Sequence, residues 1–154
     1  MTKMILTGID PSESSRQAAE TAAELASAFN GQLHIISAFE VNKTEEFQMR
    51  SRNRPAEQPS AYKQIQDQHR HEALETITNV TGVLSKTFPD LTITSAVVQG
   101  EPGFALAHVA EEINADVIVV GNKRVQVSAS ILNRIARTVS SESNCDLYIA
   151  NTLG

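Results

Sequence analysis

Charged and hydroxyl side chains follow two apolar segments of this chain, and these residues have the types and spacing for ligand chemistry. The first group is Asp10 with Ser12 and Ser14, directly after residues 4–9. The second is the basic segment 122–134, directly after residues 115–121. A carboxylate accepts hydrogen bonds, whereas Lys and Arg side chains donate them and bind phosphate. The two groups could therefore form one polar site if the fold brings them together.

The apolar segments predict a fold that does so. Residues 4–9 and 115–121 are uniformly apolar, which is typical of buried parallel strands. Further strands are expected at 32–39, 91–98 and 146–150, and the alternation of polar and apolar residues in 91–98 indicates an edge strand. Helical spacing of apolar residues separates the strands in four places: 12–29, 62–84, 102–113 and 131–139.

Five strands alternating with four helices predict an α/β fold with one open parallel sheet, doubly wound, and helices on both faces. The expected strand order is 3-2-1-4-5, with the two most apolar strands side by side in the centre. Ligands bind such sheets at the carboxyl ends of the strands, where the order reverses. The turns that follow residues 9 and 120 should therefore face one crevice.

Length and composition limit the class of protein. The 154 residues fit a single domain, 1–154, and the polar segment 40–60 between the second strand and the next helix predicts a long, mobile loop. A net charge of −5 argues against a nucleic-acid partner, and the apolar runs are too short to cross a membrane. The N-terminus does not read as a signal peptide, so we expect a cytoplasmic protein. The single Cys145 should be a buried structural residue.

The fifth strand predicts a partner. It lies at the edge of the expected sheet, and its residues Leu147, Tyr148 and Ile149 carry no charge that would block pairing. An uncovered apolar edge strand tends to pair with another chain. We therefore expect a homodimer through residues 146–150.

Several of these segments together resemble the universal stress protein family. The residues that carry the resemblance are the turn Gly8-Ile9-Asp10-Pro11-Ser12-Glu13-Ser14-Ser15, the turn Gly100-Glu101-Pro102, and the strand Ala115-Asp116-Val117-Ile118-Val119-Val120-Gly121. The resemblance covers nearly the whole chain. It implies a flavodoxin-like, or adenine-nucleotide α-hydrolase-like, fold in a dimeric cytoplasmic protein of the stress response. Some members bind ATP or other adenine nucleotides, which would also bring magnesium.

The resemblance also implies a set of site residues. Asp10 would contact the nucleoside and Ala38 would line the adenine pocket, with Gly8 and Ile9 beside them. The phosphates would be surrounded by residues of the fourth strand and the segment after it, namely Gly121, Asn122, Lys123, Arg124, Asn133 and Arg134. Asp10 has a second interpretation, since an aspartate before Pro11 can simply bond its own turn.

This chain departs from the ATP-binding pattern of the family. Nucleotide-binding members have a glycine, two residues, a second glycine, nine residues, and then a glycine followed by serine or threonine. Here Gly121 is kept, but Arg124 takes the second glycine position, and neither possible alignment of residues 133–135 restores the last pair. Two interpretations follow. Either the basic side chains bind phosphate in place of the missing backbone amides, or they fill the pocket and the domain no longer binds ATP.

No residue of the sequence is an evident catalytic base. Ser12, Ser14 and Ser15 lack the GxSxG context of an activated serine, and His69 and His71 point to different faces of a helix, so neither a nucleophile nor a metal site is expected. At most slow ATP hydrolysis is foreseen. The sequence thus predicts a stress-response module that binds an adenine nucleotide. A protein-interaction dimer with an empty crevice is the alternative, and a flavoprotein of flavodoxin topology is a weaker one.

Overall fold

The computed structural model describes residues 2–40, 58–121 and 145–152, with the side chains of the second segment described from Tyr62 onward. The elements in chain order are β1 (Met4–Gly8), α1 (Glu13–Ala28), β2 (Gln32–Phe39), α2 (Gln58–Thr87), β3 (Thr92–Gln99), α3 (Pro102–Ile113), β4 (Val117–Gly121) and β5 (Asp146–Ala150). The helix expected around residues 131–139 lies outside the described residues.

All five strands form one parallel sheet in the order β3-β2-β1-β4-β5. The predicted fold class and strand order are therefore confirmed. β1 has β2 on one side and β4 on the other, because its uniformly apolar residues are suited to a position covered on both faces. Most side chains of β3 are exposed or partly exposed, as expected for an edge strand.

Two apolar layers cover the faces of the sheet. On one face, α1 presents five buried alanines to Ile5, Leu33 and Ile35, and α2 adds Ile77 and Leu84. Alanines let α1 approach the sheet closely because they have no side chain beyond Cβ. On the other face, Leu106 and Val109 of α3 pack on Leu6, Ile36 and Ile118. No helix of the described residues is long and apolar enough to cross a membrane.

The ends of the helices follow from local chemistry. Ser12 caps α1, since its hydroxyl accepts a hydrogen bond from the backbone N–H of Ser15 at 3.1 Å. α2 ends at Thr87, directly before Phe88 and Pro89, where the sequence predicted a stop. α2 begins at Gln58, so residues 58–60 belong to this helix and not to the predicted loop 40–60, whose remaining residues from 41 lie outside the described residues.

The pair Asn30-Gly31 predicts that the glycine takes the left-handed conformation at the end of α1. In the structure Asn30 takes this conformation instead, with φ 50°. Asparagine tolerates this conformation better than most residues. Gly31 is needed for another reason: a Cβ at this position would collide with the backbone carbonyl of Lys3, which accepts a hydrogen bond from Gln32 N–H at 2.8 Å. The glycine therefore allows β2 to start close beside the segment that leads into β1.

Candidate functional site: the crevice between β1 and β4

The carboxyl ends of β1 and β4, from which the two predicted turns start, lie on the same edge of the sheet, as the sequence predicted. β1 and β4 are adjacent and parallel, with Thr7 beside Val119, and the buried Thr7 hydroxyl donates to the Val119 carbonyl at 2.9 Å. Gly121, at the end of β4, lies against the first turn of α1: a Cβ there would be 3.0 Å from the Ser14 hydroxyl oxygen. The point where the strand order reverses is therefore the crevice between these two turns.

Asp10 forms a closed turn at the mouth of this crevice. Its carboxylate oxygen Oδ1 accepts a hydrogen bond from Ser12 N–H at 2.8 Å, and its own N–H donates to the Ser15 hydroxyl at 2.8 Å. The turn-forming interpretation of Asp10 is therefore present in the structure. The nucleoside-contact interpretation is not tested by this bond and stays a prediction. The side chain is partly buried.

The residue before Asp10 is held by β2. Ile9 N–H donates to the Ile36 carbonyl at 2.9 Å, and the buried Ser37 hydroxyl donates to the Ile9 carbonyl at 3.2 Å. Ile9 and Asp10 are thus fixed by hydrogen bonds to β2 and α1. This fixed backbone holds the Asp10 carboxylate at the mouth before a ligand arrives, so little ordering entropy would be lost on binding.

Contacts within the protein explain why residue 121 is a glycine. Besides the Ser14 oxygen at 3.0 Å, an added Cβ would lie 3.4 Å from the methyl group of Thr152. The 3.0 Å separation is tighter than an ordinary van der Waals contact, so a side chain would push apart α1 and the segment after β5. The retention of this one glycine of the ATP-binding pattern is therefore explained by packing alone.

A pair of hydroxyl groups beside Gly121 was not foreseen from the sequence. The hydroxyl oxygens of Ser14 and Thr152 lie 2.6 Å apart, and Thr152 is almost fully buried. The bond connects the start of α1 to the residues that follow β5. The sequence showed Ser14 only as a residue near a helix start, because nothing local indicates that Thr152, 138 positions away, is its partner.

Gly8 and Ala38 lie at the carboxyl ends of β1 and β2, beside Asp10. A Cβ on Gly8 would be 3.3 Å from the side chain of Leu106, so this glycine lets α3 pack closely under the crevice. Ala38 pairs with Val98 of β3 and packs against the apolar layer that contains Leu106.

The turn between β3 and α3 lies on the same edge of the sheet. The backbone amides at the start of α3 are already hydrogen-bonded within the protein. The carboxylate of Glu101 accepts hydrogen bonds from Gly103 N–H at 3.1 Å and from Phe104 N–H at 3.0 Å. Gly100 has φ 146°, which disfavours any other residue, and its N–H donates to the Phe39 carbonyl at 2.8 Å. Because Glu101 already places a negative charge at the start of α3, this helix terminus is unsuited to a phosphate.

Five of the ten predicted site residues lie outside the described residues. They are Asn122, Lys123, Arg124, Asn133 and Arg134. The structure brings together the other five, which are Gly8, Ile9, Asp10, Ala38 and Gly121. All of these lie at the carboxyl ends of β1, β2 and β4.

The His and Cys side chains outside the crevice are buried or paired with neighbours, as expected of residues with a structural role. Burial lowers the pKa of His34, whose Nδ1 lies 2.6 Å from the Thr94 hydroxyl oxygen. His71 is paired with Glu75 at 3.2 Å along α2. Burial, with Asp146 and Asp116 nearby, raises the pKa of Cys145 to about 11. Within 2–40, 58–121 and 145–152, no group of three His, Cys, Asp or Glu side chains is arranged to hold a metal ion.

Comparison with models of protein families identifies the family to which this chain belongs. The model of the universal stress protein family matches residues 1–151. The chain belongs to the universal stress protein family. A search of curated protein sequences gave no match. The family assignment suggested by the two turns and the strand is therefore confirmed over almost the full chain.

Solved universal stress protein structures share the fold. One in complex with cAMP has 24% sequence identity and a TM-score of 0.66, with 97% of each chain covered. The protein UspA from Lactobacillus plantarum has 18% identity and a TM-score of 0.70, with 96% of each chain covered. A protein from Archaeoglobus fulgidus in complex with dAMP has 16% identity and a TM-score of 0.62, with 97% of each covered.

Proposed function

We propose that this universal stress protein binds an adenine nucleotide with a single phosphate, of the AMP or cyclic AMP kind, in the crevice between β1 and β4. The observation that carries the proposal is the fixed position of Asp10 directly after β1: its carboxylate accepts from Ser12 N–H, its own N–H donates to the Ser15 hydroxyl, and Gly121 ends the neighbouring strand β4. Two structures of the same fold are complexes with cAMP and with dAMP.

Each residue has a proposed part in holding the nucleotide. Asp10 accepts hydrogen bonds from the ribose or the base, and Ala38 lies under the adenine, with Gly8 and Ile9 forming the wall between them. The phosphate is bound by Gly121 and the basic segment that follows it, through Asn122, Lys123, Arg124, Asn133 and Arg134.

The number of phosphates follows from the sequence pattern. A triphosphate is normally cradled by backbone amides of closely approaching glycines, and it is usually accompanied by magnesium. This chain has Arg124 in place of the second glycine. Arginine donates two parallel hydrogen bonds to one phosphate group but does not enclose three. We therefore propose that AMP or cyclic AMP binds more tightly than ATP, and that hydrolysis of ATP is at most slow.

The test compares nucleotides by isothermal titration calorimetry and thermal unfolding. A ligand present at 100 times its Kd stabilises the folded state by about 2.7 kcal/mol, which raises the Tm of a chain of this size by roughly 5–11 °C. We expect this shift with AMP or cyclic AMP at millimolar concentration and a smaller one with ATP. If none of the three nucleotides changes the Tm or gives heat of binding, the proposal is wrong.

A substitution separates the two roles of Asp10. Asp10→Asn keeps a side-chain oxygen for Ser12 N–H, so the turn and its cap should survive, but the negative charge that faces the ribose is lost. We expect weaker nucleotide binding by roughly tenfold or more with little change in stability without ligand. Asp90→Asn is the matched control, because Asp90 is exposed at the opposite edge of the sheet.

A second candidate function is an interaction dimer with an empty crevice. Two observations favour it: the contacts of Gly121 account for that glycine without a ligand, and Asp10 is already bonded within its own turn. The surface would be β5, where Tyr148 and Ile149 are 44% and 46% exposed on an edge strand. Under either candidate we propose a homodimer through β5, in the cytoplasm, acting in the stress response. Native mass spectrometry of the purified protein distinguishes the two, since only the first candidate gives a dimer with bound nucleotide.

A further inference from the structure

A cavity of about 430 Å³ lies at the amino edge of the sheet, which is the edge opposite the crevice. Gln32 and Thr92, which begin β2 and β3 and are neighbours in the sheet, both line it. The other lining residues come from Thr2, from the ends of α1 and α2, and from the loop between α2 and β3. Pockets that bind small molecules usually measure roughly 300–1,000 Å³. This cavity is therefore large enough for a small organic ligand.

The charges around this cavity are negative. α1 ends at Ala28 and α2 ends at Thr87, so both helices bring their carboxyl ends to it. Each such end acts as roughly half a negative charge, and the last turn of α1 contains no basic residue. Among the described residues that line the cavity, Asp90 has the only charged side chain. The cavity therefore favours a cation.

Two lysines are close to this region in the sequence. Lys86 lies in the last turn of α2, and Lys3 precedes β1. Both side chains are exposed, and neither residue lines the cavity. They weaken the negative potential from outside but leave the space beside Asp90 to a ligand.

The backbone N–H groups around the cavity are largely used within the protein. Five of them donate to backbone carbonyls, namely those of Asn30, Gly31, Gln32, Phe88 and Leu91. Pro89 has no N–H to donate. Carbonyl, hydroxyl, amide and carboxylate oxygens of the lining residues can still accept, since each has more than one acceptor position. An ammonium group suits such a lining because it has three donors and no acceptor.

The polar side chains of the cavity come from two walls. Ser27 and Asn30 lie at the end of α1, and Thr87 and Asp90 lie at the end of α2 and in the loop after it. Apolar side chains line the cavity as well, and they are Ala26, Phe88, Pro89 and Leu91. A ligand that contacts both walls therefore needs a donor group at each end and an apolar chain between them.

We propose that this cavity binds an aliphatic diamine. One ammonium group is held by the Asp90 carboxylate beside the end of α2, and the other by Ser27 and Asn30 at the end of α1. The methylene chain lies against Phe88 and Leu91. The site is separate from the crevice between β1 and β4, and it does not depend on nucleotide binding.

A metal ion fits these residues less well. Calcium and magnesium take six or more oxygen ligands and usually several carboxylates, whereas the described lining residues supply one carboxylate, that of Asp90. Within the part of the chain that the structure describes, no three His, Cys, Asp or Glu side chains are grouped to hold a metal. An organic cation also uses the apolar part of the lining, which a metal ion would leave in water.

The experiment is an NMR titration of the full chain, labelled with ¹⁵N, with three ligands of equal chain length. They are 1,5-diaminopentane, 1-aminopentane and 1-pentanol. We expect 1,5-diaminopentane at millimolar concentration to shift the amide signals of residues 27–32 and 87–92 in a saturable way. Its Kd should be roughly tenfold lower than that of 1-aminopentane, and 1-pentanol should not saturate.

Two outcomes of the titration would overturn the proposal. One is the absence of saturable shifts in residues 27–32 and 87–92, including the case in which acidic surface residues elsewhere shift equally. The other is the same Kd for 1,5-diaminopentane and 1-aminopentane, because the second ammonium group would then have no partner in the cavity.

A matched pair of substitutions tests the Asp90 wall. Asp90→Asn and Asp67→Asn each remove one exposed carboxylate, but Asp67 lies in the first half of α2 and does not line the cavity. Asp90→Asn should raise the Kd of 1,5-diaminopentane roughly tenfold, and Asp67→Asn should leave it unchanged. Equal Kd values for the two variants would mean that the diamine responds only to the total charge of the protein.

A second pair tests the α1 wall. Ser27→Lys places a cation at the carboxyl end of α1, where a lysine is compatible with the helix, and it occupies the position proposed for the second ammonium group. Gln64→Lys adds the same charge at an exposed position near the other end of α2. Ser27→Lys should raise the Kd of 1,5-diaminopentane roughly tenfold or more, with little change for Gln64→Lys. An unchanged Kd in Ser27→Lys would contradict the proposed arrangement.

Discussion

The hydroxyl oxygens of Ser14 and Thr152 lie 2.6 Å apart across Gly121, and this pair joins the beginning of α1 to the residues after β5. Because Thr152 is 3% exposed, the bond lies in a region from which water is largely excluded. Gly121 therefore occupies a space whose walls are two hydrogen-bonded side chains.

The contact at Gly121 predicts a coupling that unfolding experiments can measure. Gly121→Ala should lower the free energy of unfolding by about 1–3 kcal/mol, since the new methyl group is forced against the Ser14 hydroxyl. In a Ser14→Ala background the same change should cost less, because the oxygen at 3.0 Å is gone. Urea unfolding of the four proteins in this double-mutant cycle gives the coupling energy. Equal costs in both backgrounds would show that the Ser14 oxygen is not the obstacle.

Replacement by alanine should have opposite effects on stability at two glycines outside the site. Gly31→Ala should destabilise the protein strongly, by about 3 kcal/mol or more, because its Cβ would collide with the Lys3 carbonyl and a backbone atom must move. Gly82→Ala, inside α2, should stabilise it by roughly 0.5–1 kcal/mol, since nothing lies within 4 Å of the added Cβ and alanine favours the helix. Thermal and urea unfolding of the two variants checks both signs.

The lowered pKa of His34 predicts that the folded protein loses stability in acid. Burial lowers its pKa below the ordinary value of 6.5, so the unfolded chain takes up the proton more readily than the folded protein does. Stability is therefore retained above the unfolded pKa and decreases as the pH falls below it. His34→Gln keeps a polar side chain near Thr94 and removes the titration. Its free energy of unfolding should depend less on pH between about 7 and 5 than that of the wild type. Identical pH profiles would assign the acid sensitivity to other groups.

Cys145 should be unreactive while the protein is folded. Its thiol is 5% exposed, and burial raises its pKa to about 11, so almost no thiolate is present near pH 8. The thiolate is the reactive species toward disulfide reagents. Labelling of Cys145 by a disulfide reagent at pH 8 should be slow in the native protein and fast in urea. The rate in the native protein should be set by how often the fold opens and exposes the thiol. Rapid labelling of the native protein would mean that this residue is accessible.

The fold could be predicted from the sequence because its signals are local and repeated. Uniform apolar runs at 4–9 and 115–121 indicated two central strands, and alternation in 91–98 indicated an edge strand. Ser12 and Pro89 marked helix ends through capping and through the missing amide hydrogen. The differences are small, such as Asn30 in place of Gly31 as the left-handed residue, since either residue type tolerates that conformation.

The site could be predicted only in part. Asp10, Ala38 and Gly121 lie at or directly after the carboxyl ends of strands whose order was correctly expected, and their part in binding stays a prediction. The contacts of Gly121 were not visible in the sequence, where the resemblance suggested a ligand as the reason for the glycine, whereas the structure shows Ser14 and Thr152 around it. Asp10 had two interpretations, and the structure shows that its turn-forming bond is made.

The sequence by itself determined the order of the strands and the edge at which the turns meet, since apolar patterning and chain connectivity leave few ways to wind this sheet. The tertiary structure alone decided which side chains touch across that edge, as for Ser14 and Thr152, and which residues line the cavity at the opposite edge. Such contacts join residues far apart along the chain. They depend on distances between packed backbones, and those distances are fixed only when the whole core has assembled.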